Sequence, residues 1–130
     1  MLTKTDLEAL AETRLQDAIL LFREGRASSA YYLAGYAVEL ALKACVAKAF
    51  QPNAIPDKAF VNEIYTHSLE KLLFSVDSKT DPELAAAWGI ASKWTESSRY
   101  LLWDTISAGS LIGAIGDPNH GVFQWVKKHW

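Results

Sequence analysis

The chain has little cysteine, no long uncharged apolar stretch and only a small net charge. Its single cysteine among 130 residues, Cys45, cannot form an intramolecular disulfide, so the core has to hold the fold together. No uncharged stretch approaches the ~20 residues that a membrane-spanning helix needs. The amino terminus also lacks the continuous apolar segment of a signal peptide. We therefore expect a soluble, cytoplasmic protein without membrane association.

Strong positive charge and metal-ligand spacing are missing as well. The net charge is -2 and the sequence pI is about 5.9, which argues against a broad electrostatic grip on nucleic acid by a monomer. The three histidines, His67, His120 and His129, have no ligand spacing with Cys, Asp or Glu. The glycine pattern GAIG at 113–116 follows no strand and is too short for a phosphate loop. We expect no metal and no cofactor.

What the chain does have is a helix-length apolar run, Ala27 to Phe50, whose charged residues are Glu39, Lys43 and Lys48. Alanines recur along it at three- and four-residue steps, which is typical of a helix enclosed by neighbouring helices. The run is predicted to be the central helix of a bundle. Glu39 must then find a partner inside the protein rather than water.

Helix signals precede and follow this run. Thr5 and Glu8 have the form of a capping box, which predicts the start of the first helix. Gly25 is placed to end that helix in a left-handed conformation. The prolines of 51–57 end the second helix, and a short helical turn is predicted at 60–64.

The second half of the chain is also predicted to be helical. A third helix begins near Thr66, and after a break at 78–82 the sequence Asp-Pro-Glu starts a long fourth helix that reaches about Trp103. A small-residue helix at 106–115 and a last short helix at 122–126 follow. The predicted fold is all-α: one domain over 1–130, an up-and-down bundle of four to five helices with short carboxyl-terminal helices.

Three segments together resemble the HEPN domain, a helical family named in part for nucleotide binding. They are ASSAYYLAGYAVELALKACVAK (27–48), HSLEKLL (67–73) and WTESSRY (94–100), in the order that the family has. The carboxyl-terminal GVFQWVKKHW (121–130) also looks like the end of a bacterial subgroup. The resemblance implies the HEPN helical fold, whereas activity has to be argued from the site.

The resemblance also implies a class of activity. Many HEPN proteins are metal-independent ribonucleases, frequently toxins paired with a nucleotidyltransferase antitoxin, and they act as homodimers. Their motif is an arginine followed four to six residues later by a histidine. Arg99 matches the arginine, but no histidine follows at that spacing and Asp104 stands at its place. A positive charge nearby would lower the pKa of Asp104 and make it a weak base; His67 or another histidine could enter the site from elsewhere in the fold or from a second subunit.

Further candidates for a cleft beside Arg99 each have a structural alternative. They are Glu39, Lys43, Tyr32, Tyr36, His67 and Trp94. Glu39 either orients Arg99 or forms a structural ion pair with it, and it also precedes Lys43 by four residues in the favourable order. The tyrosines either stack on bases or pack in the bundle.

Two functions stay open. The first is a non-catalytic homodimer that binds a nucleotide, an RNA or a partner protein such as a nucleotidyltransferase, in a toxin-antitoxin or defence setting. The missing histidine and the mild acidity favour it. The second is a divergent metal-independent ribonuclease that uses Arg99, with Asp104 or a histidine supplied in trans. A purely structural bundle inside a larger complex is a third, weaker interpretation.

Overall fold

The computed structural model describes residues 2–50, 53–77 and 81–130. Within these ranges the chain forms seven α-helices and one 3₁₀ helix and no strand, so the predicted all-α fold is confirmed. The helices are α1 (Lys4–Arg23), α2 (Ala27–Ala47), α3 (Lys58–Ile64), α4 (Leu69–Val76), α5 (Ala85–Ala91), the 3₁₀ helix (Glu96–Tyr100), α6 (Thr105–Gly116) and α7 (Val122–Lys127).

The capping box predicted at Thr5 and Glu8 is wrong, because the first helix begins earlier in the sequence. Thr3 has extended backbone, its hydroxyl accepts from the Asp6 amide at 3.1 Å, and the Asp6 carboxylate accepts from the Thr3 amide at 2.9 Å. Glu8 instead pairs with Lys4. The reciprocal box therefore lies two residues upstream, because the same spacing of threonine and acid occurs twice.

The central helix is α2, and it pairs with α1 as an antiparallel hairpin. Gly25 joins the two with a φ of 79°, in the left-handed region predicted for it. The alanine face of α2 is fully buried, and α1, α4, α6, α7 and the 3₁₀ helix all pack on this helix. The predicted end at Phe50 is three residues too late, since the helix ends at Ala47.

Two short helices, α3 and α4, form the connection that carries His67. The Asp57 carboxylate caps α3 by accepting from the Ala59 amide at 3.0 Å. The third helix predicted from Thr66 begins at Leu69, with Ser68 as its cap. The predicted break at 78–82 lies mostly outside the described residues, which resume at Asp81.

The long fourth helix predicted to reach Trp103 is wrong. It is replaced by α5, a turn at 92–93, extended backbone at Thr95 (φ -133°, ψ 156°) and the 3₁₀ helix. Trp94 turns inward and is 3% exposed. Burial of this large ring against α2 outweighs the weak preference of the segment for a continuous helix.

The last two helices close the core around α2. The predicted helix at 106–115 is present as α6, and the predicted final helix is present as α7. The Trp130 indole donates to the carbonyl of Ala41 at 3.1 Å, which ties the carboxyl end to α2. None of the helices in the described part of the chain is both long and apolar enough to cross a membrane.

Candidate functional site

Glu39 is a buried acid at the centre of a charged network. Its side chain, in the middle of α2, is 2% exposed, and both carboxylate oxygens have partners. Lys43 Nζ lies 3.2 Å from Oε2, so the predicted pair one helical turn apart is present. His67 Nδ1 lies 3.0 Å from Oε1 and 3.2 Å from Oε2. These partners compensate for taking the carboxylate out of water.

His67 joins Glu39 to a second carboxylate. The residue lies between α3 and α4, and its Nε2 is 3.1 Å from Glu96 Oε2 on the 3₁₀ helix. An ionised carboxylate only accepts hydrogen bonds, so both contacts are hydrogen bonds only when each ring nitrogen carries a proton. In this arrangement neither nitrogen of His67 is free for a ligand.

Packing of Trp94 on α2 brings the 3₁₀ helix to this network. A Cβ built on Gly35 would overlap the Trp94 indole, so the ring lies directly on the bare backbone of α2. The indole Nε1 of Trp94 has no hydrogen-bond partner in the structure. Packing rather than hydrogen bonding therefore positions the ring, and with it the following turn that carries Glu96 and Arg99.

Arg99 is the exposed end of the network. Its NH1 lies 3.2 Å from Glu96 Oε1, and 45% of the side chain is exposed. Its NH2 donates to the Tyr100 hydroxyl at 2.8 Å, and this hydrogen bond is the main cause of a raised pKa of Arg99, to which Glu96 and Tyr32 contribute. The expected direct contact between Arg99 and Glu39 is not formed. The two are linked through Glu96 and His67.

Asp104 has a structural partner instead of Arg99. It is the N-cap of α6, where its carboxylate accepts from the Ser107 amide at 2.6 Å. This hydrogen bond lowers the pKa of Asp104. The direction was expected from Arg99, but the cause is different: the amides at the start of the helix stabilise the charged form.

The aromatic candidates divide between packing and the site. Tyr32 lies 6.0 Å from Tyr36 and 6.0 Å from Trp94, measured between ring centres, and both tyrosines are half-buried. Burial is the main cause of a raised pKa of Tyr36, with the Glu39 charge adding to it. Trp94 is too deeply buried to offer a face to a ligand. Tyr32 also interacts with Arg99, where it contributes to the raised pKa of Arg99.

Two members of the site were missed in the sequence. Glu96 precedes Arg99 by three residues, a spacing that could have marked it as a partner on a helix. Tyr100 is 74% exposed and its ring lies 4.8 Å from the Arg99 guanidinium carbon, but no sequence pattern marks that contact. The site is thus a row in which basic and acidic side chains alternate: Lys43, Glu39, His67, Glu96 and Arg99. We call it the charged row.

In the described ranges, no three or more His, Cys, Asp or Glu side chains are grouped so that they could hold a metal ion.

A model of the HEPN domain family matches residues 6–106 of the chain. This match covers α1 through the start of α6 and so includes every member of the charged row. No curated protein and no solved structure matches the chain.

Proposed function

The chain belongs to the HEPN domain family of helical modules associated with nucleotides and RNA, and on this premise we propose that it binds single-stranded RNA at Arg99 without cleaving it. We further propose that residues 1–130 form one domain and that the binding form is a homodimer. Activity has to be argued from this chain's own site, because the fold does not fix the function.

One observation carries the choice of binding over cleavage. Metal-independent RNA cleavage needs a group that moves a proton, together with a cation that stabilises the phosphorane. Both ring nitrogens of His67 face carboxylates, and Asp104 is engaged by the Ser107 amide with a lowered pKa. The cation is present in Arg99, but the nearest imidazole and the residue at the motif position both have other partners.

The exposed part of Arg99 suits a phosphate. Glu96 takes one guanidinium nitrogen and the Tyr100 hydroxyl another, and the planar fork of arginine has five N–H donors in all. The unused donors can bind phosphate oxygens in the bidentate manner that arginine favours. The exposed Tyr100 ring next to them offers a face on which a base can stack.

An exposed apolar strip beside Arg99 supports self-association. It consists of Leu101, Leu102 and Ile106, which are 56%, 95% and 84% exposed. Apolar side chains concentrated in this way mark interaction surfaces more often than free surface. A two-fold symmetric dimer is the commonest closed arrangement of identical chains. Such a dimer through the strip would bring two Arg99 side chains near one interface.

The dimer is tested by light scattering after size exclusion. We expect a mass about twice 14.4 kDa for the unmodified chain and a monomer for Leu102→Glu. Ile55→Glu is the matched control, because Ile55 is 98% exposed at a site remote in sequence from the strip. A monomeric unmodified chain at all concentrations, or equal effects of the two substitutions, would count against the strip.

RNA binding is tested by fluorescence anisotropy with a labelled single-stranded RNA in chelator, followed by a gel of the recovered RNA. We expect binding, intact RNA and an affinity at least about tenfold lower for Arg99→Ala, because a charged hydrogen-bonded contact is lost. Arg23→Ala is the control, since Arg23 is an exposed arginine at the end of α1. Equal affinities of Arg99→Ala and the unmodified chain would refute the proposal.

A divergent ribonuclease is the second candidate, and one observation favours it. His67 and Arg99 both contact the Glu96 carboxylate, so an imidazole lies close to the arginine in the structure. Cleavage in chelator that is lost in both Arg99→Ala and His67→Gln would establish this candidate. A nucleotidyltransferase partner, implied by the family resemblance, is tested by copurification with a candidate protein.

A further inference from the structure

The Glu96 carboxylate is divided between two partners. Oε2 lies 3.1 Å from His67 Nε2, and Oε1 lies 3.2 Å from Arg99 NH1. Arginine and carboxylate pair most strongly when both oxygens meet two guanidinium nitrogens. Here the contact with His67 leaves Glu96 only one oxygen for Arg99. The pairing of Glu96 with Arg99 is therefore incomplete, and part of the guanidinium stays open to solvent.

We propose that His67 is a positioning residue that regulates phosphate binding at Arg99, because it binds one oxygen of the Glu96 carboxylate and keeps that oxygen from pairing with Arg99. The inference rests on the proposed RNA site and adds a mode of regulation to it. When His67 carries both protons, it binds Glu96 and Glu39 together, and Arg99 is available to phosphate. When His67 loses a proton, Glu96 is released to pair fully with Arg99 and competes with the ligand.

Loss of one proton breaks one of the two contacts of His67. The deprotonated ring nitrogen has a lone pair, which cannot donate to a carboxylate and is repelled by it. Glu39 is buried on α2 and is also held by Lys43, whereas Glu96 is 29% exposed on a short 3₁₀ helix. Glu96 is thus the partner that can move, and the nearest cation for it is Arg99.

Other charged groups around His67 also contribute to the electrostatic potential at the charged row. The titratable and charged residues that belong to the charged row, face it, or flank His67 on its own segment are Arg14 on α1, Tyr32, Tyr36, Glu39 and Lys43 on α2, Glu96, Arg99 and Tyr100 on the 3₁₀ helix, and Glu70 and Lys71 on α4. Histidine is the side chain whose charge ordinarily changes between about pH 5 and 8.

The test is the pH profile of RNA affinity, measured by anisotropy from about pH 5.5 to 8. We expect the affinity of the unmodified chain to fall about tenfold over this range, the size of one hydrogen bond to a charged group. His67→Gln should flatten the profile to within about twofold, as no imidazole is left to release Glu96. His120→Gln is the matched control for loss of an exposed histidine, and it should keep the full slope.

A second variant keeps the test independent of how His67→Gln folds, which circular dichroism reports. Glu96→Gln removes the competing charge, so at the upper pH it should bind RNA several-fold more tightly than the unmodified chain and show little slope. Glu24→Gln makes the same charge change at an exposed residue that caps the carboxyl end of α1, and it should change affinity much less.

The outcomes separate this inference from the proposed function. Loss of binding in Arg99→Ala with a flat profile in His67→Gln and tighter binding in Glu96→Gln supports both. Loss of binding in Arg99→Ala with an unchanged slope in His67→Gln overturns the positioning role and leaves the RNA site standing. Binding that is insensitive to Arg99→Ala overturns both.

Discussion

Replacing Gly35 with alanine should destabilise the protein, although the same change on most helices stabilises it. Alanine is favoured over glycine in a helix interior by ~1 kcal/mol. At Gly35 the added methyl group would overlap the Trp94 indole, a rigid and almost fully buried ring. Overpacking of this kind costs ~1–3 kcal/mol, and a rigid, buried fused ring favours the upper end. The net loss is then about 2 kcal/mol.

Gly113→Ala is the matched control. Gly113 is an exposed glycine of α6, and a Cβ built on it meets nothing within 4 Å. We expect the control to gain up to ~1 kcal/mol in free energy of unfolding. In thermal unfolding, Gly35→Ala should lower Tm by about 6–10 °C, while Gly113→Ala should raise it by a few degrees.

The same substitution also tests the placement of the site. Trp94 positions the turn that carries Glu96 and Arg99, so Gly35→Ala should weaken RNA binding at a temperature where the variant is still folded. If Gly35→Ala were as stable as Gly113→Ala, Trp94 would not lie on α2, and the described position of the 3₁₀ helix would be wrong.

Three further results are expected. Glu39→Ala should lower the free energy of unfolding, measured in urea, by about 2 kcal/mol, because Lys43 and His67 lose the buried carboxylate that they contact. An unchanged free energy of unfolding would show that the charged row contributes nothing to stability. Burial raises the pKa of Cys45 to about 11, from 9.0; stability should be full below pH 9 and decline towards pH 11. Cys45→Ala should make that decline smaller, and the remainder comes from groups such as Tyr36, whose pKa is also raised. Asp104→Asn should keep the α6 cap and Asp104→Ala should lose it. Because the pKa of Asp104 is lowered, the stability that its charge contributes is present above its ordinary pKa of 3.8 and fades below it; equal thermal stability of the two variants at neutral pH would contradict the cap.

The helical elements that depend on local pattern were predictable from the sequence. The alanine spacing of α2 and the left-handed Gly25 both follow from short-range rules, and both are present. The capping box was misplaced because Thr3 with Asp6 and Thr5 with Glu8 fit the same rule, and sequence spacing cannot rank them. The long fourth helix failed because a contact distant in sequence, between Trp94 and Gly35, decides that region.

The site was predictable by residue but not by connection. Arg99, Glu39 and His67 were named from the family resemblance and from burial. In the structure His67 contacts Glu39 directly, and the two oxygens of Glu96 link His67 to Arg99. Such a link requires the α3–α4 connection and the 3₁₀ helix to meet over α2. No periodicity along the chain records that meeting, because it arises from packing between segments that are far apart in sequence.

The salt dependence of RNA affinity tests most directly whether Arg99 contacts phosphate. For single-stranded RNA, each neutralised phosphate contributes about -0.7 to the slope of log affinity against log salt concentration. If a homodimer places both Arg99 side chains on one RNA, the slope for Arg99→Ala should be about 1.4 shallower than that for the unmodified chain. Identical slopes for the two proteins would contradict phosphate binding at Arg99.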